Sequence, residues 1–359
     1  MKVVLFGNAT EKIAAIRYRV IWFADRLRAE GHECVVCLPA SVWLRENLYE
    51  GRSRFGKFLY LFLTFLNRIA QLRHVIGADV VFFRGNVFEY GPPFFERIIH
   101  FFCRHMVFDI DDAVWEAPAH VNSPFLRVVD FDWTWKMCRM CSHAIVGNEY
   151  LRERVVPHMG ADAVTIVPTC IDMDKHTAKT YPRRDTVVLG WTGLKDNLGY
   201  MDIIEDVLRE LAAKHKIKLL IATGGEYQLS GVDVENRRWR MEGEIEYLQD
   251  PDIGLMPLKD TPRARGKCAF KALQYMGCGT PCVISPVGMN AEVINDGVDG
   301  YLANTPEEWR QKLEHLIVDA DARERMGRAA REAIIARYSH EANWPAFKAA
   351  IEHCAAHKK

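Results

Sequence analysis

Apolar residues along this chain alternate between two arrangements. Short solid runs, Val3–Phe6, Cys34–Leu38, Val80–Phe83, Met106–Ile110, Ala144–Val146 and Thr165–Val167, have the length and composition of strands. Between them lie longer stretches with helical spacing, namely Tyr18–Glu30, 57–76, 93–104 and 148–156. Gly31-His32 ends the first of these, so the chain opens as strand, loop (Gly7–Ala15), helix, strand. Repeated strand–helix alternation predicts a doubly wound parallel sheet.

Tyr181-Pro-Arg-Arg-Asp185 reads as a linker, after which the pattern restarts. Strands are expected at Val187–Trp191 and Lys218–Ala222, with a helix over Tyr200–His215 between them. Shorter strands are expected near Arg238–Met241, Ile253–Met256 and Cys282–Ile284, and helices at 306–318, 321–337 and 340–355. The expected organisation is an N-terminal domain over 1–180, a linker over 181–186, a C-terminal domain over 187–338 and a terminal helix over 339–359. Two similar α/β units would then face each other across a cleft.

Residues 252–292 say most about chemistry. The run Ile253–Leu258 ends in a basic loop, the helix-like Lys271–Met276 stops at Gly277-Cys278-Gly279-Thr280-Pro281, and Cys282–Ile284 leads into Pro286-Val287-Gly288. Arg263, Arg265, Lys267 and Lys271 place four cations within nine residues at a strand end. Parallel sheets bind ligands at the carboxyl ends of their strands. Cations beside a helix N-terminus make a site for an anion, most naturally a phosphate.

In the first half, Asp109, Asp111 and Asp112 follow the apolar run Met106-Val107-Phe108. They suit a site at a strand end, with Asp111 or Asp112 acting on a bound group, or simple capping of the next segment. Arg17 and Arg19 follow the first loop, either to contact a phosphate or anionic acceptor or to make a salt bridge on the helix face. Gly7 would let backbone approach a ligand. His105, His120 and His143 read as packing or surface residues.

Residues 51–76 hold Arg52, Arg54 and Lys57 before the run Phe58-Leu-Tyr-Leu-Phe-Leu63, with Arg68 and Arg73 after it. A basic, aromatic helix of this kind either lies in a membrane interface or packs as a buried helix of the first domain.

Composition narrows these readings. A chain of 359 residues suggests two domains, and 49% hydrophobic with 26% charged residues is that of a globular protein. Lys plus Arg and Asp plus Glu both number 47, which argues against nucleic acid as a partner and makes any anion site local. Ten scattered cysteines fit a reducing, cytoplasmic compartment. Cys34/Cys37 and Cys138/Cys141 have CxxC spacing but lack neighbours at structural-zinc spacing, so no metal is expected there. The start MKVVLFGNAT turns too early for a signal peptide, and no apolar run reaches the length of a membrane span.

The order of elements resembles that of a GT-B glycosyltransferase, and the motifs resemble the retaining, nucleotide-sugar-dependent glycosyltransferase family 4. Four segments carry the likeness: Arg17-Tyr-Arg19-Val with its helix and Gly31-His32; Phe108-Asp-Ile-Asp-Asp-Ala-Val-Trp115; Gly147-Asn-Glu-Tyr-Leu151 through Val167-Pro-Thr-Cys-Ile-Asp172; and 252–292. Family members carry Glu-x7-Glu before the CGTP-like turn. Here Gln274 stands at the second position and Gly266 or Lys267 near the first.

The resemblance implies a two-domain Rossmann-like enzyme that moves a sugar from a nucleotide-diphosphate sugar to a glycan or lipid-linked acceptor, retaining the anomeric configuration, without metal. It places the acceptor on the N-terminal domain and the nucleotide on the C-terminal one. It implies diphosphate binding by Lys195, Arg265, Lys267 and Lys271, nucleoside or ribose contacts at Gln274 and Gly193, and a donor loop at Gly288 and Glu292. Asp111 falls at the family's usual His position, beside the donor sugar. The expected setting is synthesis of bacterial-type surface glycans at the inner face of the plasma membrane, with peripheral contact through 51–76. An epimerase or sugar phosphorylase of the same fold, or a non-catalytic sugar-nucleotide-binding protein, are the alternatives.

Overall fold

A computed structural model of the chain describes residues 1–49, 53–88, 92–116, 130 and 132–356. Arg52 and His120 lie outside the described residues. The chain divides into two compact units, Met1–Thr169 together with the chain from Trp344 on, and Cys170–Asn343.

Unit 1 is built on six strands, β1 (Lys2–Gly7), β2 (Glu33–Cys37), β3 (Val80–Arg84), β4 (Met106–Ile110), β5 (His143–Val146) and β6 (Val164–Ile166). They are parallel in the order β2-β1-β3-β4-β5-β6. The central strands are apolar because both faces are covered. Val3–Phe6, Val80–Phe83 and Ala144–Val146 are buried throughout. The helices are α1 (Ala14–Ile16), α2 (Trp22–Ala29), α3 (Val42–Leu44), α4 (Arg54–Gln71), α5 (Phe94–Phe102), α6 (Trp133–Met140) and α7 (Glu149–Met159). A π-helical turn, Arg17–Ile21, joins α1 to α2. That extra turn belongs to the region expected as one helix from Tyr18.

Unit 2 repeats the plan with β7 (Val187–Thr192), β8 (Ile217–Thr223), β9 (Asp233–Arg238), β10 (Ile253–Met256), β11 (Cys282–Ile284) and β12 (Tyr301–Leu302). The parallel order is β12-β11-β10-β7-β8-β9. Successive strands run outward from β7 in one direction and then from β10 in the other. The direction therefore switches between β7 and β10, where open α/β sheets leave a crevice. The helices are α8 (Glu205–Lys214), α9 (Glu244–Gln249), α10 (Pro262–Arg265), α11 (Phe270–Gly277), α12 (Asn290–Val293), α13 (Pro306–Val318), α14 (Ala320–Arg337) and α15 (His340–Ala356). Helix α13 has a complete start signal: Thr305 and Glu308 form a capping box around Pro306.

From Trp344 on, α15 packs with unit 1. Phe347 stacks on Phe23 with ring centroids 3.9 Å apart. The Trp344 indole and the Lys348 ammonium each donate to the Glu30 carboxylate at 2.7 Å.

Two local expectations need correction. The strand expected near Arg238–Met241 is β9, Asp233–Arg238. Its sequence, DVENRR, is polar because it is an edge strand, so an apolar run could not mark it. The segment Lys195–Ile203 forms a 3₁₀ helix before α8, where one helix was expected from Tyr200.

Candidate functional site

In unit 2 the loops that leave β7, β8 and β10 converge. Gly193, just past β7, is tied back to the sheet by its N–H, which donates to Ala222 O at 3.2 Å. The side chain of Lys271 lies across this glycine: a Cβ there would sit 2.6 Å from Lys271 Cε and 2.7 Å from its Nζ. The ammonium also stands 4.3 Å from the centroid of the Trp191 ring. Lys195 lies along Gly225, just past β8, where a Cβ would meet its stem at 3.0 Å. At both loops a lysine side chain thus passes close over a glycine backbone.

Lys271 is the second residue of α11, and Ala269 just ahead of that helix holds φ 51. A left-handed alanine is strained, and such strain concentrates at ligand sites. It brings the chain round so that Lys267 and Lys271 stand together at the positive end of the helix. Burial, and then the Lys267 charge, push the Lys271 ammonium down to about 7. No carboxylate among the described residues pairs with it. An arriving anion would supply the missing counter-charge.

The neighbouring residues are arranged differently. Arg265 is exposed, and its guanidinium forks onto Asp260 at 2.6 and 2.7 Å. Gly288, at φ 53, passes the Arg265 backbone so closely that a Cβ would lie 2.5 Å from its carbonyl oxygen. Glu292 is exposed on α12. Gln274 is buried, and its amide donates to Glu244 on α9 at 3.1 Å.

At the corresponding strand ends of unit 1 the charges neutralise one another. Arg19 is 1% exposed and binds Asp109 through two bonds, of 2.8 and 2.6 Å, with a third to Val167 O at 3.1 Å. The salt-bridge alternative for Arg19 is thus the one its geometry matches, but the partner is on β4 and not on the helix face. Arg19 is committed to the interior through these bonds. Arg17 holds the first loop, donating to the carbonyls of Lys12 and Glu11 at 2.7 and 3.2 Å. At Gly7 the space a Cβ would need is taken by the side-chain ends of Ile16 and Leu38.

Arg84, at the end of β3, completes the cluster. Its Nε lies 3.5 Å from Asp109, and its Nη2 donates to Asp111. Burial raises the Asp111 carboxyl, but Arg84 and Arg19 outweigh it and hold the group below the usual carboxylate range. Asp111 is therefore ionised and a weak base. Asp112 accepts from the Ala113 N–H at 2.9 Å. Arg84, Asp111 and Asp112 line a cavity of about 190 Å³ with Asn8, Asn86 and Asp130.

Sequence reasoning missed Arg84, Trp191, Ala269 and Glu244. Arg84 pairs in register with Asp109 across β3 and β4, a neighbour relation the linear chain does not display. A larger hollow of about 620 Å³ lies near the starts of β7 and β8. Lys218 there is matched by Glu235, Arg237 by Glu235 and Asp250, and Arg184 donates to Asp250 O at 3.1 Å; the hollow lies at the amino-terminal ends of these strands, away from the crevice at their carboxyl ends, so it is not the candidate site. Among the described residues no group of three or more His, Cys, Asp or Glu could hold a metal ion.

Two parallel six-stranded sheets with helices on both sides, each with its polar groups at the strand ends, define the GT-B architecture. Known structures share it. Anabaena HepE in complex with UDP and glucose matches with a TM-score of 0.68 at 14% identity, over 98% of this chain and 100% of that one. Sucrose-phosphate synthase from Thermosynechococcus elongatus matches with a TM-score of 0.68 at 14% identity, over 98% of each chain.

The family follows from sequence. A Glycosyltransferase Family 4 domain matches residues 19–175, and a Glycosyl transferases group 1 domain matches residues 186–319. The chain belongs to the glycosyltransferases built from these two domains and is a transferase enzyme. It is also 43% identical over 61 residues to the D-inositol 3-phosphate glycosyltransferase of Paenarthrobacter aurescens (strain TC1). That match spans 16% of this chain and 15% of the relative's length.

Proposed function

We propose that this glycosyltransferase takes a sugar from a nucleotide-diphosphate sugar bound on unit 2 and passes it to a hydroxyl of a glycan or lipid-linked acceptor bound on unit 1. The observation that carries the reading is Lys271, a half-buried ammonium without a carboxylate partner among the described residues, lying over Gly193 at the switch between β7 and β10. That HepE has been seen with UDP and glucose, and with UDP-glucose, supports a donor of this class.

The diphosphate would lie along Lys271, Lys267 and Lys195, with Arg265 at the margin and the backbone of Gly193 beneath. Gln274 would act near the ribose, and Gly288 and Glu292 near the donor sugar. As the glycosidic bond breaks, the leaving nucleotide gains negative charge, and fixed cations there stabilise the transition state more than the ground state. Retention follows if the acceptor hydroxyl attacks on the leaving-group face and a phosphate oxygen assists removal of its proton. Asp111, held ionised by Arg84, suits orienting a sugar hydroxyl or stabilising oxocarbenium character better than accepting the proton. Asp112 is the remaining candidate for that proton.

The reaction in this reading needs no metal. The enzyme would serve surface-glycan synthesis on the cytoplasmic side of the membrane, touching it through the 51–76 segment.

A thermal-shift panel of UDP, GDP, ADP, CMP and their sugar conjugates tests the donor class. One diphosphate family should raise the melting temperature by mass action. No shift at millimolar ligand, from folded protein, would contradict the reading. NMR of the product anomer then tests retention.

A further inference from the structure

Helix α4 is turned inside out relative to an ordinary surface helix. The residues it buries are Gly56, Tyr60, Thr64 and Arg68. Phe55, Phe58, Phe62, Leu66 and Ile69 recur at three- and four-residue spacing on the other side and are exposed, Phe55 to 73% and Phe58 to 65%. Amphipathic helices of globular domains point the apolar stripe at the core. Arg68 explains the inversion: its guanidinium donates to Gly7 O at 2.6 Å and Cys37 O at 3.0 Å, closing the carbonyls at the ends of β1 and β2. The polar side is held in, so the phenylalanines face out.

Helix α5 lies beside it, with Phe65 of α4 meeting Phe95 of α5 edge-on at 5.3 Å. It adds a second outward set, Phe94, Phe101 and Phe102, with Phe101 exposed to 78%. Around these aromatics stand five exposed cations: Arg54 and Lys57 early in α4, Arg73 beyond its end, Arg97 in α5 and Arg104 beyond its end. The only acid in either helix is Glu96, which is buried. Exposed apolar surface on this scale marks an interaction site.

We propose that α4 and α5 together form one docking face for an anionic lipid surface. Their aromatic side chains enter the headgroup–acyl boundary, and the five cations meet lipid phosphates. The proposal rests on the reading that the 51–76 segment touches a membrane, and it adds the second helix and the requirement for negative lipid. The contact is peripheral. No helix among the described residues is long and apolar enough to cross a bilayer. A second copy of the chain fits the face less well, because symmetric pairing would set these cations against their own copies, and the acid of the two helices, Glu96, is buried.

The test is co-sedimentation of the full chain with phosphatidylcholine vesicles, with and without phosphatidylglycerol, at low and high salt. The wild type should favour anionic vesicles by at least about tenfold and lose that preference as salt rises. Phe101→Ser/Phe102→Ser and Phe58→Ser/Phe62→Ser should each lower partitioning by about tenfold. Circular dichroism and an unchanged melting temperature certify that each variant is folded. If only the α4 variant loses binding, the two-helix face is overturned while membrane contact through α4 stands. Equal binding to both vesicle types overturns the charge requirement, and no binding to either overturns both readings. A wild-type dimer that the same substitutions dissociate would assign the face to a second copy and overturn the lipid proposal.

Discussion

The two sheets carry their charged groups at equivalent strand ends, yet the two clusters are in opposite states. In unit 1, Arg19, Asp109, Arg84 and Asp111 form a closed chain of ion pairs. In unit 2, Lys271 is half-buried against Trp191 and Gly193 with another lysine as its nearest charge, and burial and that neighbour depress its ammonium. Matched charges hold a fold in place, whereas an unmatched one is poised for a ligand that brings the opposite sign. Density of charged residues in the sequence does not distinguish these states.

The contrast breaks most sharply at Asp109. Replacing it with Ala strands Arg19 in the interior and should cost about 3–5 kcal/mol of stability by denaturant unfolding. A loss below about 1 kcal/mol would mean that the unit 1 cluster is not the rigid member of the pair. At Gly288 the expected cost is smaller. Ala must hold a positive φ and push against the Arg265 carbonyl, which should destabilise by about 1–3 kcal/mol and weaken nucleotide binding through the displaced basic loop. Unchanged melting and affinity would show that the loop yields freely.

The pH dependence sharpens the other side. The Lys271 ammonium titrates near 7 when folded and at 10.5 when unperturbed, so between these values the unfolded chain binds more protons. Stability of the ligand-free enzyme should therefore rise with pH over that window. Affinity for a nucleotide sugar, whose doubly esterified diphosphate has no proton to exchange there, should run the other way. It should fall about tenfold from a pH of about 6 to about 8, because the anion needs the protonated lysine. Calorimetric titrations at the two values read this directly, and a flat profile would place Lys271 outside the diphosphate site. The smallest effect is expected at Gly193→Ala. The new Cβ meets the flexible end of Lys271 first and the edge of the Trp191 ring at 3.0 Å, and affinity should drop several-fold with only a small loss of stability.

Much of the fold was legible because its strands are buried on both faces and so read as solid apolar runs. Val80–Phe83, Ile253–Met256 and Cys282–Ile284 stand where the runs placed them. Strand β9 was misplaced because an edge strand is free to be polar. The basic loop of unit 2 was visible as a cluster in sequence, since its cations are close along the chain. The unit 1 network was not, because it depends on lateral register. Arg84 meets Asp109 across two strands, and Arg19 reaches the same carboxylate from a different element. Helix α4 was recognisable as basic and aromatic, but nothing in its spacing told which side is buried. That choice is made by Arg68 and the carbonyls of Gly7 and Cys37.

The central claim is that the unmatched lysine of unit 2 receives the donor diphosphate. The most direct measurement is calorimetric titration of UDP into the wild type, Lys271→Ala and Lys271→Arg at neutral pH. The account predicts micromolar-range binding to the wild type, a loss of about 2–4 kcal/mol in the alanine variant and partial recovery with arginine. Equal affinity in all three folded proteins would contradict it.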